Sequence, residues 1–191
     1  MNDCIMDFYY LASGIHRKGI ANLLAWLKDE TDFFTAPAST KYHGVYEGGL
    51  CEHSINVCNR LVALTGNKFD SETVRTVSLF HDVCKINNYV ISTRNVKNKE
   101  TRCWEQVPYY TYADDPLPFG HGEKSVYLIS KFIQLTDEEA MAINWHMGPF
   151  DERAKGGSPV MSAAFKKFPL ALYIHQADMQ AAYLDEKERK Q

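Results

Sequence analysis

The sequence indicates an all-α protein, a helical bundle with a small β-hairpin inserted at about residues 88–113. Apolar residues recur every three or four positions in most segments of the 191-residue chain, as expected for helices that bury one face. β-branched and aromatic residues are concentrated in one stretch instead, which is typical of strands. Several His and Asp side chains interrupt the apolar helix faces, and helical bundles build polar sites from such inward-facing residues.

Helical periodicity divides the chain into segments joined by polar or glycine-containing connections. The predicted helices are 18–31, 49–65, 71–83, 121–134, 136–147 and 168–188. Residues 35–48, rich in small and aromatic side chains, are expected to form a loop. Asp70 or Ser71 would cap one helix through its side-chain oxygen. Thr136 and Glu139 have the spacing of a capping box.

The hairpin is predicted from two runs of residues, YVISTRNV and CWEQVPYYTY, which flank the polar segment KNKET. Its second strand carries four large aromatic residues, which are Trp104, Tyr109, Tyr110 and Tyr112. These rings could stack on a nucleic-acid base. Packing of aromatic strand pairs against the bundle is the favoured interpretation.

Length and composition indicate one domain over residues 1–191, with helices in 1–34 packing on a core formed by 35–188. The net charge of −3 gives no overall positive field that would attract nucleic acid. Five cysteines without a C-x-x-C pair favour reduced thiols. No apolar run reaches membrane-spanning length, and MNDCIMDFYY lacks a signal-peptide pattern, so we expect a soluble cytoplasmic protein with no membrane partner. Neither a protein partner nor an oligomeric state is indicated.

Six polar residues are predicted to point into the bundle. His53 lies between Leu50 and Val57 on an apolar helix face, and the doublet His81-Asp82 ends the apolar run of LFHDVCKINNY. The other three are His121, His146 and Asp178. A single His on such a face is usually an ordinary core residue. Four His and two Asp that converge favour a shared ligand instead.

A divalent metal would satisfy these imidazole and carboxylate groups, which are costly to bury unpaired. The mixed ligand set suits Mn, Fe, Ni, Co, Zn or Mg, and affinity alone does not choose among them. One or two ions could be bound. His16 lies in a polar connector and His175 falls off the face of Asp178, so neither is expected in the site.

The order of these motifs resembles that of the HD superfamily of metal-dependent phosphohydrolases: His53, the His-Asp doublet, then a distant Asp178. The segment HDVCK looks like the superfamily's H-D-x-x-K element and contains Lys85, while Cys84 stands where a Gly is common. PASTKYHGVYEGGLCEHS and GGSPVMSAAFKKFPLALYIHQADMQAAYL are similar to the HD domain of bacterial 3′→5′ exoribonucleases that join an OB-fold to an HD domain. PFGHGEKSVYLI and NWHMGPFD are similar to small stand-alone HD hydrolases of bacteria and phages.

This resemblance implies an HD-type helical fold with one metal held by His53, His81, Asp82 and Asp178. It also implies a second ion that is bridged by Asp82 and completed by His121 and His146. The implied activity is hydrolysis of a phosphomonoester or phosphodiester, in a nucleotide or short oligonucleotide, by a metal-activated water. The alternative is a non-catalytic regulatory module that binds metal or nucleotide; the complete ligand set favours the enzyme.

Two residues close to the motif are predicted to contact substrate. Lys85 lies one helical turn past His81, so its ammonium could reach a phosphate held at the metal, although a solvated surface Lys is the plain alternative. His43 lies in the loop before the helix of His53. The exoribonuclease-like pattern has a His there, and it could contact the phosphate or the leaving group.

Three further charged residues are weaker candidates. Arg153 and Lys155 lie on a Gly-rich loop after His146 and could clamp a phosphate, although such a loop is more often simply solvated. Glu123, two residues after His121, could accept a proton during catalysis. First-turn helix charge is the favoured interpretation of Glu123.

Overall fold

The computed structural model describes residues 3–186, which form a mostly helical structure with a two-stranded antiparallel sheet. The α-helices are α1 (Asp3–Ala12), α2 (Ile20–Asp29), α3 (Gly49–Thr65), α4 (Ser71–Phe80), α5 (His121–Ser130), α6 (Asp137–Trp145), α7 (Glu152–Lys155), α8 (Val160–Lys167) and α9 (Pro169–Gln180). Short 3₁₀ turns cover Val83–Lys85 and Gly148–Phe150, and a π-helical segment, Ala181–Asp185, continues α9. Strands β1 (Tyr89–Lys97) and β2 (Trp104–Tyr112) form the hairpin.

Helix α3 lies at the centre of the bundle, packed against α1, α4 and α9, while α6 packs against α4, α5, α8 and α9. The apolar face of α3, with Leu50, Val57 and Leu61, is fully buried. Phe8 of α1 and Leu23 of α2 join the same hydrophobic core, so the N-terminal helices cover one side of it. None of the helices in the described part of the chain is long and apolar enough to cross a membrane.

Both predicted caps are confirmed. The Asp70 carboxylate accepts hydrogen bonds from the backbone N–H groups of Glu72 and Thr73. Thr136 and Glu139 form the reciprocal capping box at the start of α6. Each cap satisfies N–H groups that have no partner within the helix, and so fixes where the helix begins.

Several helix ends differ from the sequence-based expectation. The helix predicted at 71–83 ends at Phe80, and the following residues turn into the 3₁₀ segment Val83–Lys85. The helix predicted at 168–188 runs as α9 only to Gln180, and residues 187–188 lie outside the described residues. Helices α7 and α8 were not predicted, and α1 was expected only as one of the helices in 1–34, without bounds. In α8, Ala164 is the buried contact of a short helix that is otherwise largely exposed.

The hairpin is confirmed, with Tyr89 opposite Tyr112 and Lys97 opposite Trp104. The expectation that its aromatic residues pack on the bundle is wrong for Trp104, which is 70% exposed, and for Tyr112, which is 65% exposed. Instead, Tyr112 packs across the hairpin on Tyr89, with 5.6 Å between ring centroids. A lone two-stranded ribbon has two faces and few residues to cover them, so some large side chains stay in water.

A partly buried ionic network around the buried Glu139 carboxylate joins the N-terminal region to the bundle. The guanidinium of Arg17 donates two hydrogen bonds to Glu139, at 2.8 and 2.9 Å, and one to Glu72 at 2.9 Å. The fully buried Glu139 carboxylate also accepts from the hydroxyl of Thr73 and from the backbone N–H of Thr136. We call these five residues the Arg17 cluster. They connect α4, α6 and the α1–α2 loop.

Candidate metal centre

The six residues predicted to face the core are brought together by five helical elements. His53 comes from the second turn of the central helix α3, and the His81-Asp82 doublet follows the last residue of α4. The remaining three are His121 at the start of α5, His146 just after α6, and Asp178 in α9. We call these six residues the metal cluster. Their assignment as ligands stays a prediction, but their proximity is observed.

One group of donor atoms surrounds the Nε2 atom of His53. That atom lies 3.3 Å from His81 Nε2, 3.2 Å from Asp178 Oδ1 and 3.5 Å from Asp82 Oδ2. His81 Nε2 lies a further 3.5 Å from Asp82 Oδ2. Two nitrogen or oxygen ligands at about 2.0–2.1 Å from a tetrahedral ion are about 3.3 Å apart. The spacing of this group therefore fits one divalent cation.

A second group surrounds the other oxygen of the Asp82 carboxylate. Oδ1 lies 2.8 Å from His121 Nε2 and 3.3 Å from His146 Nε2. Asp82 thus presents Oδ2 to the first group and Oδ1 to the second, which is the arrangement of a bridging carboxylate. The side chain of His121 is 32% exposed, whereas those of His53 and His81 are fully buried. The second group is therefore the more open to solvent.

Contacts at Nδ1 fix the ring orientations of three histidines. The Nδ1–H of His81 donates to the carbonyl of Ser78 at 2.8 Å, and that of His146 donates to the carbonyl of Ile143 at 2.7 Å. The Nδ1 atom of His53 lies 2.8 Å from Glu186 Oε1. Donation from Nδ1 leaves the Nε2 lone pair free to bind a cation, and metal-ligating histidines are commonly held this way.

Glu186 is a site residue that the sequence reasoning missed. Its carboxylate binds His53 through one oxygen and the Nδ1 atom of His43, at 2.6 Å, through the other. In a regular α-helix, Asp185, seven residues after Asp178, would share its face. The π-helical turn adds a residue, so Glu186 takes that face, while Asp185 pairs with Arg60 instead. Helical periodicity therefore contained no signal for Glu186.

Lys85 is not the solvated surface residue that formed the plain alternative. Its Nζ atom lies 2.6 Å from Asp82 Oδ2, and the residue is 9% exposed. Lys85 lies on the 3₁₀ turn Val83–Lys85. The sequence pattern predicts a position one helical turn past His81. Tyr89, at the start of β1, lies close enough to have its pKa lowered by Lys85 and raised by Asp82, although burial raises it more. The hairpin base therefore borders the site.

The surroundings of Asp82 in the metal cluster keep its carboxylate ionised. Burial opposes ionisation of Asp82, but the charges of Lys85 and His81 and a hydrogen bond from His121 hold its pKa well below the usual range. Burial also opposes charge on His53. The carboxylates of Asp178 and Glu186 outweigh that effect and raise the pKa of His53 to about 10. Without a cation, a proton on His53 offsets part of the negative charge, and a divalent ion would displace that proton.

Two buried side-chain atoms have no hydrogen-bond partner within residues 3–186, Thr76 Oγ1 and His146 Nε2, and the second belongs to the metal cluster. His146 is fully buried, and its Nε2 atom makes no hydrogen bond with any residue between 3 and 186. Buried polar atoms in folded proteins almost always have a partner, and this orphaned imidazole nitrogen is available to bind a ligand. The donor types, their spacing and this orphaned atom all fit a divalent metal. The metal cluster would hold it, with Asp82 between two positions.

Two other predicted residues, His43 and Glu123, have hydrogen-bond partners outside the metal cluster. His43 lies beside His53, with ring centroids 4.6 Å apart, and is tied to Glu186. Glu123 accepts the backbone N–H of Gly120 at 3.1 Å and pairs with Arg153, so it caps α5 as the favoured interpretation held. Its alternative role as proton acceptor is not tested by these contacts.

The segment predicted as a basic Gly-rich loop is different in the structure. Residues 152–155 form the one-turn helix α7, because Asp151 caps it. The guanidinium of Arg153 pairs with Asp151 and Glu123 and lies over the ring of Trp145, while Lys155 pairs with Glu152. These pairs neutralise both cations locally, so their role as a phosphate clamp stays a prediction.

Comparisons of the chain with protein-family models, with curated proteins and with solved structures find no match. The functional argument therefore rests on the residues and their geometry. His16 is exposed, and the Nδ1–H of His175 donates to the carbonyl oxygen of His146 at 2.8 Å. Both positions agree with the expectation that these two residues lie outside the donor set.

Proposed function

We propose that this chain is a metal-dependent phosphohydrolase with an HD-type helical fold. Its substrate would be a phosphomonoester or phosphodiester of a nucleotide or short oligonucleotide. The convergence of four imidazoles and two carboxylates from five separate helical elements carries the proposal. Such a set is expensive to bury without a ligand, since polar atoms removed from water need partners. Hydrolysis also requires the site to bind a negatively charged phosphate, so the net charge of the site matters.

The charge of the site favours two cations over one. Asp82, Asp178 and Glu186 are three carboxylates facing one ammonium, that of Lys85, which leaves an excess of two negative charges when the imidazoles are neutral. One divalent ion would cancel this excess, and two would reverse it. Only the second state attracts a phosphate dianion, because like charges repel strongly where water is scarce. The two groups of donors on Asp82 offer two positions.

The chain's own residues divide the work of binding and orientation. Asp82 would hold the two positions at a fixed separation through its two oxygens. The buried His53 and His81 side would be closed to substrate. The side chains of His121 and Asp178 are 32% and 16% exposed, so these two residues of the metal cluster are in reach of solvent. Substrate would therefore approach past His121 and Asp178.

A bound divalent cation supplies a nucleophile near neutral pH and neutralises charge on the phosphoryl group. Lys85 is placed to assist, because its ammonium lies against Asp82 and is 11% exposed at the side chain. It can hold a phosphoryl oxygen by a charge-assisted hydrogen bond. His43 and Glu186 act one step further back, since both are linked to His53.

The decisive experiment is a phosphoester screen with metal-free protein reloaded separately with Mn²⁺, Ni²⁺, Co²⁺, Zn²⁺ and Mg²⁺. We expect metal-dependent phosphate or nucleotide release, and its loss in His53→Ala and Asp178→Ala variants that retain helical circular dichroism. His16→Ala is the matched control, because His16 is an exposed histidine away from the site. Metal uptake without turnover of any substrate would support a binding or regulatory module instead. A wild type that takes up no metal would refute the whole proposal.

A further inference from the structure

Cys84 places a thiol at the second group of donors. Its Sγ atom lies 3.4 Å from His121 Nε2, and the residue is 3% exposed. The sulfur, the Asp82 carboxylate and the His121 imidazole present donor atoms that all lie within 4.8 Å of one another. Cysteine is a strong ligand for several divalent metals once it loses its proton. The thiol thus lies beside donors that the proposed hydrolase would already use.

The position of this thiol is fixed by the local fold. Val83–Lys85 forms a 3₁₀ turn, and the backbone N–H of Cys84 donates to the hydroxyl of Ser125 at 3.0 Å. Ser125 is fully buried and lies one turn after His121 in α5. This hydrogen bond ties the turn that carries the thiol to the helix that carries the imidazole. The short distance between Cys84 Sγ and His121 Nε2 therefore follows from the packing of the 3₁₀ turn against α5.

The distances match those of a tetrahedral ion. A nitrogen ligand at about 2.0 Å and a sulfur ligand at about 2.3 Å are about 3.5 Å apart in that geometry, compared with 3.4 Å between His121 Nε2 and Cys84 Sγ. The 3.3 Å between Asp82 Oδ1 and the orphaned Nε2 of His146 also fits two such ligands. The 2.8 Å contact between His121 and Asp82 is a hydrogen bond that an ion would replace.

We propose that Cys84 is a thiolate ligand of the second ion, together with Asp82, His121 and His146. On binding, the S–H proton passes to solvent and a metal–sulfur bond forms, with no change of oxidation state. A set of one sulfur, two nitrogens and one oxygen favours Zn²⁺, Co²⁺ or Fe²⁺ and discriminates against Mg²⁺, which prefers oxygen ligands. This inference rests on the metal centre of the proposed function, but not on hydrolysis.

Cobalt titration of the metal-free protein tests the inference directly. Co²⁺ bound to a thiolate gives an intense sulfur-to-metal charge-transfer absorption in the near ultraviolet, which nitrogen and oxygen ligands do not give. We expect this absorption with the second equivalent of Co²⁺ in the wild type. Cys84→Ser should lack it and bind the second Zn²⁺ about tenfold or more weakly, since a hydroxyl is a poor substitute for a thiolate. Both proteins should bind the first ion.

Cys58→Ser is the matched control, because Cys58 is another fully buried thiol, on α3, and lies in none of the candidate donor groups. It should keep the charge-transfer absorption and both affinities. If Cys84→Ser does not fold, cadmium-113 NMR of the wild type replaces it, because the shift reports a sulfur ligand without any substitution. Two bound ions without a thiolate signal would overturn the assignment of Cys84 alone. A failure to bind any Co²⁺ would overturn it together with the metal centre.

Discussion

The Arg17 cluster and the metal cluster each surround a buried carboxylate, but their polar atoms are paired in different ways. In the Arg17 cluster, the guanidinium and the Glu139 carboxylate share two hydrogen bonds, and the remaining contacts of Glu139 come from Thr73 and Thr136. In the metal cluster, the Nε2 atoms of several imidazoles face one another and two carboxylates. His146 there lacks a hydrogen bond for its Nε2 atom within residues 3–186.

The two clusters differ in whether their buried polar atoms are satisfied by one another. Hydrogen bonds within the Arg17 cluster offset the cost of burying its charges, so it joins three segments without a ligand. In the metal cluster, imidazole Nε2 atoms and carboxylate oxygens face one another with an excess of negative charge. A cation would bind these atoms and neutralise that charge. Both clusters contain a buried carboxylate, Glu139 in one and Asp82 in the other, but they predict opposite responses to substitution. Each prediction below separates the two clusters.

The largest effect is expected for Asp82→Ala. This change removes both oxygens that face the two groups of donors, and no neighbouring carboxylate can replace them. We expect loss of metal and of metal-dependent turnover, measured by elemental analysis and by the phosphoester assay, in a protein that remains folded. Glu139→Gln is the comparison, since it alters the Arg17 cluster and should leave the metal content unchanged. Metal retention by Asp82→Ala would contradict the bridging role.

Arg17→Ala should have the converse phenotype. It leaves the buried Glu139 carboxylate without its main counter-charge, and removing one partner of a buried ion pair costs about 3 kcal/mol. Chemical denaturation should show this loss in the free energy of unfolding, while the number of bound metal ions at saturation stays the same. Lys155→Ala is the control for a surface pair, because Lys155 is half exposed in its pair with Glu152. That change should cost well under about 1 kcal/mol. Equal unfolding free energies for Arg17→Ala and Lys155→Ala would contradict a stabilising role of the Arg17–Glu139 pair.

Lys85→Ala tests whether the ammonium beside Asp82 serves substrate or structure. Loss of one charge-assisted contact should lower kcat/KM by about ten- to a hundredfold, or about 1.5–3 kcal/mol. A rise in KM alone would indicate equal contact in the ground and transition states, whereas a fall in kcat would indicate contact with developing charge. The control is Lys124→Ala, since Lys124 is similarly buried but pairs with Asp115. Loss of metal from Lys85→Ala would show that the residue supports the ligands instead.

Glu186→Gln should weaken metal binding about ten- to a hundredfold, the usual effect of losing a carboxylate that orients a ligating histidine. The amide can no longer accept charge-assisted hydrogen bonds from both His53 and His43. Calorimetric titration of the metal-free protein measures the change. Asp185→Asn is a closely matched control, because the neighbouring carboxylate pairs with Arg60 and should leave the affinity unchanged. Similar affinities for both variants would make Glu186 a structural residue only.

The smallest effect concerns pH and the Arg17 cluster. Burial opposes ionisation of Glu139, but hydrogen bonds from Arg17 and Thr136 outweigh it and lower the pKa of that carboxyl. A folded-state pKa below the unfolded value of about 4.3 contributes stability above that pH, and this contribution is lost as pH falls through the folded pKa. We therefore expect the unfolding free energy of the wild type to fall more steeply on acidification than that of Glu139→Gln. Parallel curves would exclude this contribution.

The sequence by itself determined the helical class, the hairpin and the face on which each polar residue lies. Those features are local, since His53 follows Leu50 by one helical turn and Asp70 caps the helix that begins beside it. The metal cluster was predictable for the same reason: each of its members interrupts an apolar face, and apolar faces in a bundle converge. The expectation of convergence is met in the structure.

Only the tertiary structure decided which residues meet across the chain. Glu186 reaches His53 over 133 positions because a π-helical turn shifts the register after α9. Arg17 reaches Glu139 over 122 positions, and Cys84 meets His121 because Ser125 ties a 3₁₀ turn to α5. Periodicity specifies the direction of a side chain within its own helix. It does not specify the partner that another helix presents, because that depends on how the helices pack and where each one ends.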